Sequence, residues 1–63
     1  MIVIARINRK TYHFTGFLLE GMEITLNIGL AEKFKSIKDA MGEAAKRSFD
    51  KDFFYRVWDI IIY

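Results

Sequence analysis

The sequence predicts an α+β domain: a three- to four-stranded, mostly antiparallel sheet with one helix packed on one face, in the order β-β-β-α-β. Three observations carry that expectation. Met22, Ile24, Leu26 and Ile28 alternate with Glu23, Thr25 and Asn27, the period of an antiparallel strand with one wet face. Ile37, Ala40, Met41, Ala44 and Ala45 recur at the three–four spacing of an amphipathic helix. The closing stretch, Phe53 to Tyr63, is built of aromatic and β-branched residues that favour strands. Residues 1–63 read as a single domain, with no linker, repeat or low-complexity segment among them.

Ile2 to Ile7 is rich in β-branched residues and reads as a first strand. Asn8-Arg9-Lys10 is polar and starts with a residue that tolerates left-handed backbone, so it reads as a hairpin turn. Thr11 to Leu19 supplies a second strand, with Tyr12 and Phe14 on one face. Gly16 breaks its alternation, which predicts a bulge or bend there. Glu20-Gly21 turns the chain into the Met22–Ile28 strand, Gly29 ends that strand, and Leu30 to Phe34 reads as a short helical turn.

Ser36 is placed to cap a helix running to about Arg47, with Asp39 three residues on in the position of a capping-box acid. Gly42, set among alanines, is expected to let the helix lie close to the sheet. Lys38, Glu43, Lys46 and Arg47 are expected to face water, the last two suiting the negative end of the helix dipole. Phe49 is expected to anchor the helix exit, and Asp50-Lys51-Asp52 to turn the chain into the last strand. That strand is expected beside the first, in the centre of the sheet, because both of its faces are apolar.

Sixty-three residues without cysteine have neither disulfides nor thiolate zinc sites to support them, so stability rests on the core. The chain is 52% hydrophobic and 16% aromatic, a surplus that small proteins commonly bury by association. The lack of cysteine leans towards the cytoplasm. Met1 to Arg6 also lacks the charged start and long apolar segment of a signal peptide. No apolar run approaches the ~18 residues that span a bilayer, so no membrane association is expected. Ten basic and eight acidic residues give a net charge of +2, too small an excess to imply nucleic acid by itself.

Little here suggests catalysis, which needs convergent groups with tuned ionisation. His13, the only histidine, sits between Tyr12 and Phe14 and reads as a surface or packing residue. The pairs Glu20/Glu23 and Asp50/Asp52 lie in or beside turns and read as solvated. No ligand spacing points to a metal, and no glycine pattern points to a bound phosphate. The expectation is a protein that is not an enzyme, with no catalytic residue, metal or cofactor.

Association is the better-supported expectation. On a strand, Phe53, Tyr55, Val57, Asp59, Ile61 and Tyr63 share one face, and Phe54, Arg56, Trp58, Ile60 and Ile62 share the other. One helix covers one face of a small sheet, so either phase leaves an aromatic surface to be covered. Phe54, Arg56, Trp58, Ile60 and Ile62 are the candidate protein interface, because Trp and Arg often dominate binding energetics. A homodimer through this strand is expected, as two-fold pairs are the commonest oligomers. Folding of the first hairpin over that face is the competing account. A second function class is nucleic-acid binding by Arg6, Arg9, Lys10, Tyr12 and Phe14, where rings stack on bases and cations meet phosphates.

The stretch from Leu26 to Ala45, centred on Ala31-Glu32-Lys33-Phe34-Lys35-Ser36-Ile37-Lys38-Asp39-Ala40, resembles a pattern in small uncharacterised phage and prophage accessory proteins. Those chains run two strands, an Ala-x-x-Phe segment, a capped helix and a final Val- and Ile-rich strand. This chain departs from the pattern in its aromatic last strand. The resemblance implies a small accessory or inhibitor protein, such as an anti-CRISPR or other anti-defence protein, that occludes a surface of host machinery. It assigns no residue a role.

Overall fold

Asn8 ends the first strand by supplying its own turn. Its side-chain oxygen accepts the N–H groups of Lys10 and Thr11 at 2.8 and 3.0 Å, and its backbone pairs with His13 and Tyr12. The computed structural model describes residues 1–21 and 23–61, and over them the chain runs β1 (Ile2–Asn8), β2 (Phe14–Leu18), β3 (Ile24–Thr25), α1 (Ile37–Ala45) and β4 (Phe53–Asp59). The strands form one antiparallel sheet in the order β3-β2-β1-β4, with α1 packed against β4 and β1. This is the α+β class and the order of elements along the chain that the sequence predicts.

β2 starts three residues later than its apolar pattern suggests, because Thr11–His13 still belong to the turn. Tyr12 holds a left-handed conformation there, at φ 61°. The phase change at Gly16 is a β-bulge. Ala5 pairs with Phe17 and Arg6 with Gly16, but Ile7 pairs with Phe14, leaving Thr15 as the extra residue. Phe14 and Phe17 therefore share a face despite their odd spacing. Thr15 donates its hydroxyl to the Arg6 carbonyl and accepts from Arg6 Nε.

The Met22–Ile28 strand is largely replaced by turns. Thr25 Oγ1 accepts the Asn27 N–H at 3.0 Å, and Asn27 Oδ1 accepts the Gly29 N–H at 2.9 Å. These side chains offer the backbone local partners in place of a ladder, so pairing stops after Thr25. Leu26 is left exposed, and Met22 lies outside the described residues. The helical turn expected over Leu30 to Phe34 falls earlier, where the Leu30 and Ala31 N–H groups bond back to the Asn27 and Ile28 carbonyls, and from Ala31 the chain wraps around one end of the sheet. Glu32 N–H reaches the Leu18 carbonyl and Phe34 N–H the Ile2 carbonyl, while Lys33 Nζ donates to the carbonyls of Ile28, Gly29 and Ala31.

That wrap gives the sheet two covered faces. On the helix side Ile4, Leu18 and Ala40 are buried, with Ile2, Ile24, Phe34, Ala44, Tyr55 and Val57 packed around them. On the other side Val3, Ala5, Phe17 and Ala31 are buried, with Ile28 and Ile60 against them. The core thus centres on β1 and β2 rather than on the Met22–Ile28 face and the last strand.

Ser36 caps α1 as expected, its hydroxyl accepting the Asp39 N–H at 3.1 Å. The helix packs on the sheet through Ala40 and Ala44; Ile37, Met41 and Ala45 are exposed. Gly42 faces solvent, and nothing lies within 4 Å of where its Cβ would stand, so the close approach belongs to the alanines. Arg47 turns back instead of facing water, donating to the Gly21 carbonyl and pairing with Glu43 at 3.1 Å. Phe49 is 80% exposed and anchors nothing. Arg9 holds the helix exit in its place, donating to the carbonyls of Ser48, Asp50 and Phe53.

β4 lies beside β1, as its composition suggests, but at the sheet edge and not in the centre. β1, buried at Val3, Ile4 and Ala5, takes the central place with β2. No described helix is long and apolar enough to cross a membrane.

Candidate functional site

All seven residues of β4 pair with β1 without a bulge, from Ile2 with Asp59 to Asn8 with Phe53. Their alternation turns Tyr55 and Val57 towards the helix and Phe54, Arg56 and Trp58 to the opposite face. Of the interface residues expected from sequence, Phe54, Arg56, Trp58 and Ile60 therefore lie together on the helix-free side. Ile62 and Tyr63 lie outside the described residues. This side is not bare, because the 27–31 wrap and the rings of β2 cover its centre. Ile60 is drawn into that cover beside Val3 and Ala31.

What remains outside the cover is an aromatic strip with cations along it. Trp58 stacks on Phe14 with centroids 5.3 Å apart and meets Phe17 edge-on at 5.9 Å; Phe14 and Phe17 are 4.9 Å apart. Ala5, on the central strand between them, is too small to keep the β2 and β4 rings apart. Phe54 continues the strip, with Tyr12 edge-on at 6.1 Å and the Arg56 guanidinium 5.0 Å from its ring centre. Trp58 is 36%, Phe14 40% and Tyr12 75% exposed. Arg56 is exposed, and among the described residues its interaction with the Phe54 ring is the one it has.

The hairpin residues expected to bind nucleic acid are divided by the fold. Arg6 lies on the helix side, bonded to Thr15, with its guanidinium 4.0 Å from the Phe53 ring centre. Arg9 spends its donors on the 48–53 carbonyls and sits 5.9 Å from the Phe54 ring centre. Lys10, Tyr12 and Phe14 stay exposed, as does His13. Tyr12 and Phe14 join the aromatic strip of β4, a juxtaposition the bulge creates and the linear pattern hides.

The free edge of β4 is a second feature of this region. Met1 and Ile60 exchange backbone hydrogen bonds at 2.9 and 2.7 Å, and Arg9 N–H reaches the Asp52 carbonyl at 2.9 Å. In that phase Phe54, Arg56 and Trp58 bond inward to β1, and Phe53, Tyr55, Val57 and Asp59 point their backbone groups outward. Phe53 is satisfied there by Asp50 Oδ1 and Arg9 Nε. Tyr55, Val57 and Asp59 present open N–H and C=O groups among the described residues. A groove of about 460 Å³ follows this edge, with Met41, Ala44 and Ala45 on its helix side and Tyr55 and Val57 on its strand side.

Asp50 braces the start of β4. Its carboxylate accepts the Asp52 and Phe53 N–H groups at 2.9 and 3.2 Å and the Tyr55 hydroxyl at 3.0 Å. These bonds, the Asp52 N–H first, hold its acid below the ordinary 3.8. Burial, and then the bond to Asp50, raise the Tyr55 hydroxyl above 10.0. The Asp50 contribution to stability is therefore present above pH 3.8 and lost as pH falls through the lower folded value. Tyr55 acts in the opposite sense: its contribution is present below pH 10.0 and lost as pH rises through the raised value. Urea midpoints measured against pH should show an alkaline fall that is shallower in Tyr55→Phe; equal falls would contradict the assignment.

Among the described residues no group of three or more His, Cys, Asp or Glu is placed to hold a metal ion. No protein-family model, curated protein or solved structure matches the chain.

Proposed function

We propose that this chain is a non-enzymatic protein-binding module whose contact surface is the strip of Tyr12, Phe14, Phe54, Arg56 and Trp58. The observation that carries the reading is Arg56 and Trp58 side by side on β4, exposed, with no ionic partner for the arginine among the described residues. Aromatic rings beside an arginine are the groups that most often dominate interface energetics. Tyr12 adds support, since a bulky exposed side chain in a left-handed conformation costs about 1–3 kcal/mol, and such strain clusters at working surfaces. The chemistry fits a protein surface with an apolar centre and acidic groups near Arg56. In keeping with the resemblance to phage accessory proteins, the partner would belong to cytoplasmic host machinery, occluded by this strip.

The test compares the wild type with Arg56→Glu and Trp58→Ala in pull-downs from a bacterial lysate, with circular dichroism as the control for folding. One protein retained by the wild type, and lost by both variants while they remain folded, is the expected result. Retention by Arg56→Glu at wild-type levels would remove the strip from the interaction. Recovery of nucleic acid alone, released steeply by salt, would instead favour the second reading, in which Lys10, Tyr12, Phe14 and Arg56 meet a single strand.

A further inference from the structure

We infer that the open edge of β4 pairs with β4 of a second copy, antiparallel and two-fold about Val57. It rests on the backbone edge of β4 and shares Arg56 and Trp58 with the face proposed above, but it does not depend on what that face binds. The first ground is the contrast between the two sheet edges. β3 closes one side with two residues, whereas β4 offers seven in unbroken register. Natural edges are blunted by proline, charged side chains, bulges or shortness; Phe53–Asp59 has no proline and no bulge, and its two charges, Arg56 and Asp59, are of opposite sign.

The second ground is that the open groups select one register. Tyr55, Val57 and Asp59 are symmetric about Val57. A two-fold there sets Tyr55 opposite Asp59 of the second copy and Val57 opposite itself, so that every open N–H and C=O finds a partner. On the other face Arg56 falls opposite Trp58 of the second copy, where the guanidinium can lie on the indole. Other centres fail on charge or on bonding. Centring on Arg56 or on Asp59 opposes like charges. Centring on Tyr55 calls on Phe53, whose backbone is already bonded to Asp50 and Arg9. Centring on Trp58 leaves the Tyr55 groups opposite Ile61, outside the strand.

The third ground is the helix. Met41 and Ala45 are exposed beside this edge, and Ala40 and Ala44 already spend the helix's contact with its own sheet. The two-fold brings both helices to one face of the joined sheet, with Met41 and Ala45 of each copy turned towards the other. Ala45 is small and methionine adapts its shape, which suits helices meeting across a dyad. A heterologous strand would satisfy the same backbone groups, but it would not account for the symmetry of the open set or for the Arg56–Trp58 complement.

Sedimentation equilibrium of the full chain is the direct test, and a dimer at micromolar concentration is expected. Asp59→Pro removes an outward N–H that takes no part in pairing with β1, and should raise the dissociation constant by about tenfold or more. Val57→Pro should do the same, with circular dichroism reporting whether each variant keeps its fold. The register has its own test, because the chain has no cysteine. Mixed and mildly oxidised, Arg56→Cys and Trp58→Cys should form the mixed disulfide in preference to either self-linked product, their Cα atoms lying about 4.5 Å apart in such a pair. A wild type that sediments as a monomer at 100 µM (an order-of-magnitude ceiling, about 5.5 kcal/mol of association) would overturn the inference. So would a dimer that survives Asp59→Pro, or cross-linking that favours Arg56→Cys with itself.

Discussion

Replacing Leu18 by alanine is expected to cost about 2–5 kcal/mol, the loss of a buried side chain plus the cavity it leaves. Leu18 is 1% exposed and packs with Ile4 and Ala40 where β2, β1 and α1 meet. A chain of this length holds roughly 3–9 kcal/mol in all, so the substitution removes much of it. The surroundings relax poorly, because β1 is locked by strands on both sides and Ala40 cannot grow into the space. Urea denaturation followed by the fluorescence of Trp58, the one tryptophan, should show a lower midpoint at unchanged slope. A shift worth less than ~1 kcal/mol would mean that this cluster is not the centre of the core.

Gly16→Ala is expected to be the most damaging of the conservative substitutions. Gly16 holds φ at +144°, which L side chains rarely adopt, and a Cβ there would run into Ile24 Cγ2 and stand 3.0 Å from the Thr25 carbonyl oxygen. The backbone conformation alone costs about 1–3 kcal/mol for a residue with a side chain. The steric conflict adds to it, because the atoms met belong to β3 and include backbone. The cheapest relief is detachment of β3, which Gly16 brings against β2. Hydrogen exchange should therefore show loss of protection at Leu19, whose N–H bonds to the Glu23 carbonyl, ahead of the global transition. Full protection there with unchanged stability would refute the account.

Punctuation residues were the most legible part of the fold. Asn8, Gly16 and Ser36 act locally through a turn, a bulge and a cap, and each does so where its chemistry suggests. β4 lies beside β1 as expected, but the two-faced composition that argued for the sheet centre belongs to an edge strand. What escaped was decided by competition between distant or subtle alternatives. Thr25 and Asn27 read as the wet face of a strand, yet their side chains capture backbone N–H groups and end the strand. Ile28 and Ala31 consequently travel to the far face and cover what one helix could not. Met41 and Ile37 match the apolar stripe of α1 but stay outside, since a contact made through alanines is too close and narrow to include them.

The candidate surface was half visible. Periodicity places Phe54, Arg56 and Trp58 on one face whichever way the strand turns, and the structure keeps them there. The addition of Phe14 and Tyr12 needed the bulge and the left-handed turn. The division of Arg6 from Phe14 depends on that same extra residue, Thr15, which no alternation pattern locates.

The unequal lengths of the sheet's two edges also bear on how far strand addition can go. A cross-β ladder grows only if each added chain offers a fresh edge as good as the one it covers. Joining along β4, as proposed, would use the long edge and leave at each end only β3, two residues long and followed by the Thr25–Asn27 turn. In the proposed pair growth would therefore stop at two chains, since the β3 edge gives a fibril nothing to extend.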